Sequence, residues 1–134
     1  MKPRTLGTER ESGTALLEFV LMALFILGPL TAMVIDFGQI LNVHNIIIRA
    51  AEEGAMAAGN AKAPEPFVSS AVSSARLDAA KATTTVSSGA VDGIQGSPVS
   101  VTVTYNLSGL CIFPWPDFIM SLTSVTATAT VRHL

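Results

Sequence analysis

Two hydrophobic rhythms divide the chain. From Phe19 to Ile35 (F-V-L-M-A-L-F-I-L-G-P-L-T-A-M-V-I) no residue is charged, and counted from Thr14 the apolar run is about 22 residues long. At 1.5 Å per helical residue it spans roughly 30 Å, the thickness of a bilayer's hydrocarbon core. Gly28 and Pro29 interrupt it two-thirds of the way along and predict a kink, because proline lacks the backbone donor and crowds the preceding turn. Beyond Ile35 the helical period persists: Phe37, Ile40, Leu41, Ile47, Ile48, Ala51, Ala55 and Ala58 recur at spacings of three and four. This predicts one long helix that leaves the apolar segment and stops near Gly59-Asn60, with Arg49 and Glu53 at i,i+4 on its exposed side. Its apolar stripe must cover either the chain's own sheet or a neighbouring helix.

After the prolines Pro64 and Pro66, the residues Val68, Ala71, Val72, Ala75 and Ala79 keep helical spacing, so a second, shorter amphipathic helix is expected within Pro64 to Lys81. The period then falls to two. Val99, Val101, Val103, Tyr105 and Leu107 alternate with Ser100, Thr102, Thr104 and Asn106, and Val125, Ala127, Ala129 and Val131 alternate with Thr126, Thr128 and Thr130. Each reads as a half-buried strand, and Thr83 to Ser88 is a brief β-favouring stretch. The expected fold is α+β: an N-terminal transmembrane helix continuing into a long amphipathic helix, a second helix, and a small antiparallel sheet of two or three strands.

Composition supports attachment to a membrane. Of the 134 residues 49% are hydrophobic and only 13% charged, and mean hydropathy is +0.51, more apolar than an ordinary soluble domain. Net charge is −2, with no run of Lys or Arg, so the electrostatic footprint of a nucleic-acid binder is missing. Lys2, Arg4 and Arg10 precede the apolar segment, whereas the first positive charge after it is Arg49, a bias that places the N-terminus in the cytoplasm. A removable signal peptide competes with a retained anchor. The apolar run exceeds the usual h-region, and Leu30-Thr31-Ala32 is a poor cleavage site, which favours retention.

One letter breaks the segment's logic. In E-S-G-T-A-L-L-E-F-V-L, Glu11 to Leu21, Glu18 puts a carboxyl group near the start of the apolar run. An acid inside a membrane segment is costly and marks function unless it snorkels to the interface or is protonated. Gly13 closes a short polar leader, Thr14 follows it, and Glu18 is then the fifth residue, with Phe19 next.

The spacing G-x-x-x-x-E-F resembles a type IV prepilin cleavage site, in particular that of the tight-adherence (Tad) branch. The resemblance extends to the TadE-like minor pseudopilins through the exit Ile35-Asp36-Phe37-Gly38 and the alanine-rich Ala50-Ala51-Glu52-Glu53-Gly54-Ala55, and so covers Gly13 to about Ala58. Met56 departs from the pattern, standing where relatives often carry a basic residue, and the short soluble region argues against the larger TadG-like proteins.

The resemblance implies a polar leader over residues 1–13, a transmembrane helix over 14–35 and an extracytoplasmic α+β pseudopilin domain over 36–134. A prepilin peptidase would cut after Gly13. Glu18, with Phe19 beside it, would then meet the new amine of Thr14 on a neighbouring subunit. The implied partners are that peptidase, other Tad pilins and pseudopilins, the inner-membrane Tad assembly platform and the bilayer. The implied place is the bacterial inner membrane, crossed once, in support of a Flp-type pilus. Two other readings stay open: an unprocessed single-pass anchor with an extracytoplasmic binding domain, and a secreted module behind a true signal peptide.

No catalytic, cofactor or metal set is legible. Asp36-Phe37-Gly38 spells a kinase tripeptide without the rest of a kinase, and His44 and His133 belong to no ligand spacing. Neither a G-x-S-x-G elbow nor a phosphate-binding loop is present, and the single Cys111 excludes an intrachain disulfide. An enzyme is therefore not expected. The stretch Leu110 to Met120 carries Phe113, Trp115 and Phe118, which either cap the small core or form an apolar patch for a partner subunit or a membrane surface.

Overall fold

The computed structural model describes residues 8–87, 94–112, 116 and 122–134, with side chains from Gly13 onward. Helix α1, Thr8–Gly59, is followed by α2, Glu65–Ser74, by a 3-10 turn at Ala79–Lys81, and by the strands β1, Ala82–Val86, β2, Pro98–Asn106, and β3, Ser124–Arg132. The α+β architecture is the expected one, with three strands. The chain divides into two units, one ending at Ile35 and one comprising Asp36–Leu134.

In the first unit α1 runs unbroken through Pro29, and the Thr31 hydroxyl donates to the Leu27 carbonyl at 2.7 Å. Large apolar side chains from Leu16 to Ile35 lie exposed all round. Such a surface needs lipid or protein to cover it.

The second unit has two layers. The sheet order is β1-β2-β3, antiparallel throughout, and pairing along β3 is continuous from Ser124↔Asn106 to Arg132↔Pro98. Leu107 N donates to Thr123 O at one end of that ladder and His133 N to Ser97 O at the other. Antiparallel alternation therefore gives the β2 bonds to the odd-numbered residues of β3. The even-numbered pairs are the close, non-hydrogen-bonded ones, and there hydroxyls meet: Ser100 with Thr130 and Thr102 with Thr128 at 2.8 Å, Thr104 with Thr126 at 3.1 Å. Pro98 stands at one of these even positions, so its missing N–H takes nothing from the β2–β3 ladder.

The opposite face of β2 is the core. Val99, Val101, Val103, Tyr105 and Leu107 are buried against Ile40, Val43, Ile47, Ala50, Ala51, Ala55 and Ala58 of α1 and Val68 and Val72 of α2. Burying each valine or isoleucine contributes on the order of 1.5–3 kcal/mol. The stripe is shifted from the expected one: Phe37 and Leu41 are about half exposed, and Val43 and Ala50 take their place. Small residues set the depth of approach. A Cβ on Gly54 would stand 2.7 Å from Val68 Cγ2 and 3.2 Å from Val101 Cγ1, and one on Gly59 would stand 3.1 Å from Val131 Cγ1. The alanine-rich segment is thus the face on which sheet, α1 and α2 converge.

Two details correct the sequence reading. The second helix ends at Ser74, well before Lys81. Leu77 N donates to Val72 O and Arg76 N to Ser73 O, the paired bonds of a Schellman stop, with Arg76 in the left-handed region at φ 62°. Helix α1 stops the same way: Lys62 N donates to Ala57 O, Ala61 N to Ala58 O, and Ala61 has φ 56°. The stop lies where Gly59-Asn60 predicted it, yet Gly59 serves close packing and an alanine takes the strained position. The expected Arg49–Glu53 pair is absent from the ion pairs among the described residues.

Glycine and alanine should therefore trade in opposite senses at the end of α1. Ala61→Gly relieves left-handed strain and should raise unfolding free energy by about 0.5–1 kcal/mol, net of the unfolded-state entropy glycine adds. Gly54→Ala gains helix propensity but overpacks Val68 and Val101, and should lower it by about 1–3 kcal/mol. Denaturant titration of the full chain in detergent checks both, and a stabilised Gly54→Ala would refute the close-approach argument.

Candidate functional site

The residues around the proposed cleavage point sit in the first unit. Gly13 lies within α1, and a Cβ built there would meet nothing within 4 Å. Thr14, Glu18 and Phe19 are all exposed. Four helical residues advance about 6 Å and return to the same face, so Thr14 and Glu18 lie on one side of α1. This stretch presents a carboxylate beside a fully exposed apolar surface, an arrangement suited to pairing with a cation at similar depth.

A second polar feature opens the second unit. Asp36 stands on the core-facing stripe of α1, four residues before Ile40, and is fully buried. Its Oδ1 accepts a hydrogen bond from Ile112 N at 2.8 Å. A buried carboxylate holds its place through such donors, and this one fastens the segment after β2 to the start of the domain's helix. Half-buried Cys111 is adjacent. Burial, and then the nearby Asp36 charge, push its thiol pKa above the ordinary value. Raising the pKa reduces the thiolate present at neutral pH and so disfavours nucleophilic reaction at Cys111.

In the sequence Asp36 stands out as part of an exit motif and of a chance kinase tripeptide, not as a buried acid. The signal that could have found it is a lone acid in register with an apolar stripe. Phe113, Trp115 and Phe118, read from the sequence as either a cap on the core or a partner patch, lie outside the described residues. Among the described residues no three His, Cys, Asp or Glu side chains converge as a metal set.

These parts define a class: an α+β domain carried on an N-terminal helix long and apolar enough to cross a membrane, whose most apolar window has mean hydropathy 2.2 and is not buried. Within it, residues 13–56, about a third of the chain, match the family model described as TadE-like protein. The match begins at Gly13 and takes in Glu18, Asp36 and Gly54. No curated protein and no solved structure matches the chain.

Asp36→Asn keeps an acceptor for Ile112 N but removes the charge beside Cys111. Alkylation of Cys111 by iodoacetamide at pH 8 should be slower than that of a free cysteine and should quicken in Asp36→Asn, its pH profile moving to lower pH. Asp36→Ala strands the Ile112 donor and should lower stability by about 1–3 kcal/mol. An unchanged pH profile in Asp36→Asn would contradict the electrostatic coupling.

Proposed function

We propose that the chain is a membrane-anchored minor pseudopilin of a Tad-type secretion system. A prepilin peptidase hydrolyses the Gly13–Thr14 bond on the cytoplasmic side, leaving a carboxylate on Gly13 and an amine on Thr14. The helix from Thr14 holds the product in the bacterial inner membrane, crossing it once, with the C-terminal domain outside the cytoplasm. There the protein works with other Tad pilins and pseudopilins and with the inner-membrane assembly platform, and supports a Flp-type adhesive pilus. It performs no catalysis of its own.

The observation that carries this reading is the coincidence at Gly13. The family match starts there, the polar leader ends there, and the only acid of the apolar run follows five residues later. Glycine also suits the cut: it weakens a helix by about 1 kcal/mol relative to alanine, easing local opening of α1, and offers the peptidase no side chain. After the cut, Glu18 of one subunit faces the Thr14 amine of the next. In low dielectric a pair out of register leaves a charge unmatched, which selects one axial offset between neighbours.

One observation favours a second reading, an unprocessed single-pass anchor whose domain binds an envelope ligand. Helix α1 already begins at Thr8, so Gly13 lies inside regular helix and not in extended chain. Co-expression with a Tad prepilin peptidase separates the two: the pseudopilin reading expects a mature N-terminus of Thr14-Ala15-Leu16, blocked by Gly13→Leu. Intact chain beside a processed control substrate would leave the anchor reading standing.

Processing and assembly should come apart at Glu18. The amine it pairs with exists only after cleavage, so Glu18→Gln and Glu18→Ala should be inserted and cut normally. Both should cross-link less to partner pilins and support several-fold fewer pili. Wild-type piliation in both variants would reduce Glu18 to a tolerated acid at the membrane interface.

A further inference from the structure

The two edges of the sheet differ. β1 is five residues long and lies beside α2, whose Glu65, Val68 and Ser69 border Ala79, Ala82 and Thr84. β3 is nine residues long, without proline, lysine or bulge. Its odd-numbered residues bond to β2, so the peptide groups of Ser124, Thr126, Thr128, Thr130 and Arg132 point away from the sheet, and no partner for them is found among the described residues. A long, flat, unpaired edge is a template for another strand unless something blunts it.

Beside that edge lies a trough of about 420 Å³, lined by Ile48, Glu52 and Met56 of α1 and Ala127, Ala129 and Val131 of β3. The three helix residues are spaced i, i+4, i+8 and form one row. Met56 is 54% exposed, and Ala127, Ala129 and Val131 are only half-buried, whereas their partners on β2 are fully buried. The helix row therefore flanks β3 without covering its inward side chains. Two helices side by side span roughly 16–20 Å. Three strands at about 4.8 Å cover only about 14 Å, so the shortfall is one strand.

We propose that the β3 edge and this trough receive a single extended strand from another protein, apolar on alternate residues and carrying a cation opposite Glu52. Backbone bonds to the outward peptide groups of Ser124, Thr126, Thr128 and Thr130 supply the attachment, the Arg132 carbonyl being packed against Gly59. Alternate side chains enter the trough against Ile48 and Met56, while the others join the hydroxyl face of the sheet. Glu52 is exposed and has no ion-pair partner among the described residues, so a Lys or Arg at the matching inward position completes the site. A second copy of the domain fits poorly. Twofold pairing of β3 with β3 would place only Val125, Ala127, Ala129 and Val131 at the inward positions and leave Glu52 of each copy without a cation. Pairing through the second copy's β1 would bring its α2 onto the ground held by Ile48 and Met56.

The test uses the full chain in detergent micelles and a capped nonapeptide, T-V-T-K-T-V-T-V-T, with the same peptide bearing Glu for Lys as comparison. Saturable binding of the Lys peptide should slow amide exchange of Ser124, Thr126, Thr128 and Thr130 at least about tenfold, with weaker binding of the Glu peptide. Thr128→Pro deletes an outward N–H without removing a β2–β3 backbone bond, losing only the Thr102–Thr128 hydroxyl pair that Thr128→Val removes alone as the control, and should weaken binding at least about tenfold relative to that control while the odd-numbered amides stay protected. Glu52→Lys should invert the preference between the two peptides, a result that does not depend on how well the proline variant folds. Unchanged exchange at saturating peptide would overturn the proposal, as would edge amides already protected in the chain alone. Protection that grows with protein concentration without peptide would assign the edge to a second copy and overturn it equally.

Discussion

The domain depends on how closely one helix can approach one strand. Gly54 and Ala50, Ala51, Ala55 and Ala58 give α1 a face almost without side chains, and the valines of β2 fill the space left. Because the approach is set by backbone and methyl groups, Gly54 touches α2 through Val68 as well as the sheet through Val101. Larger residues there would separate three elements at once. The same crowding accounts for the helix stop: with Gly59 against Val131 and the Arg132 carbonyl, the left-handed residue needed to turn the chain falls to Ala61.

A single helix thereby meets two environments. Up to Ile35 its large apolar side chains are exposed, and from Asp36 one stripe is buried while the remaining faces mix polar residues with Phe37, Leu41 and Met56. Asp36 stands at that change and opens the buried stripe with a carboxylate. Its bond to Ile112 N ties the connection after β2 to the first turn of the domain, at the end remote from Gly59 and Leu134, where Leu134 N donates to Gly59 O. The sheet is fastened to α1 near both ends of the helix's domain portion, with apolar packing between.

Much of this was legible from period alone. The alternations around Val101 and Ala127 located β2 and β3 to within about a residue, and the three-four spacing carried α1 to its true end. Period failed where a residue's conformation or polarity, not its hydrophobicity, decides the outcome. Alanines continue in helical register to Ala79, but Ser73 and Ser74 turn their hydroxyls back on Ser69 O and Ala71 O, and Arg76 adopts a left-handed stop that no glycine announces. Asp36 escaped because a search for apolar positions passes over a polar residue occupying one of them. Gly13 and Glu18, the residues of the proposed cleavage and pairing, were visible for the opposite reason: each breaks the composition around it.

The outer face of the sheet bears on how such a domain associates. Its hydroxyls pair across strands, Ser100 with Thr130, Thr102 with Thr128 and Thr104 with Thr126, so much of their hydrogen-bonding capacity is met within the sheet. A face of that kind gains little from a partner, because a new contact would displace bonds already made. β1 is short and flanked by α2, and Lys81 Nζ at its head donates to Ser108 O, tying it to the turn after β2. With the face self-satisfied and one edge sheltered, unmet backbone capacity among the described residues concentrates on β3. Attachment through one edge and one flanking helix row is directional. It favours one added strand over unlimited growth of the sheet, because an added strand that carries no helix brings no new trough to receive a further one.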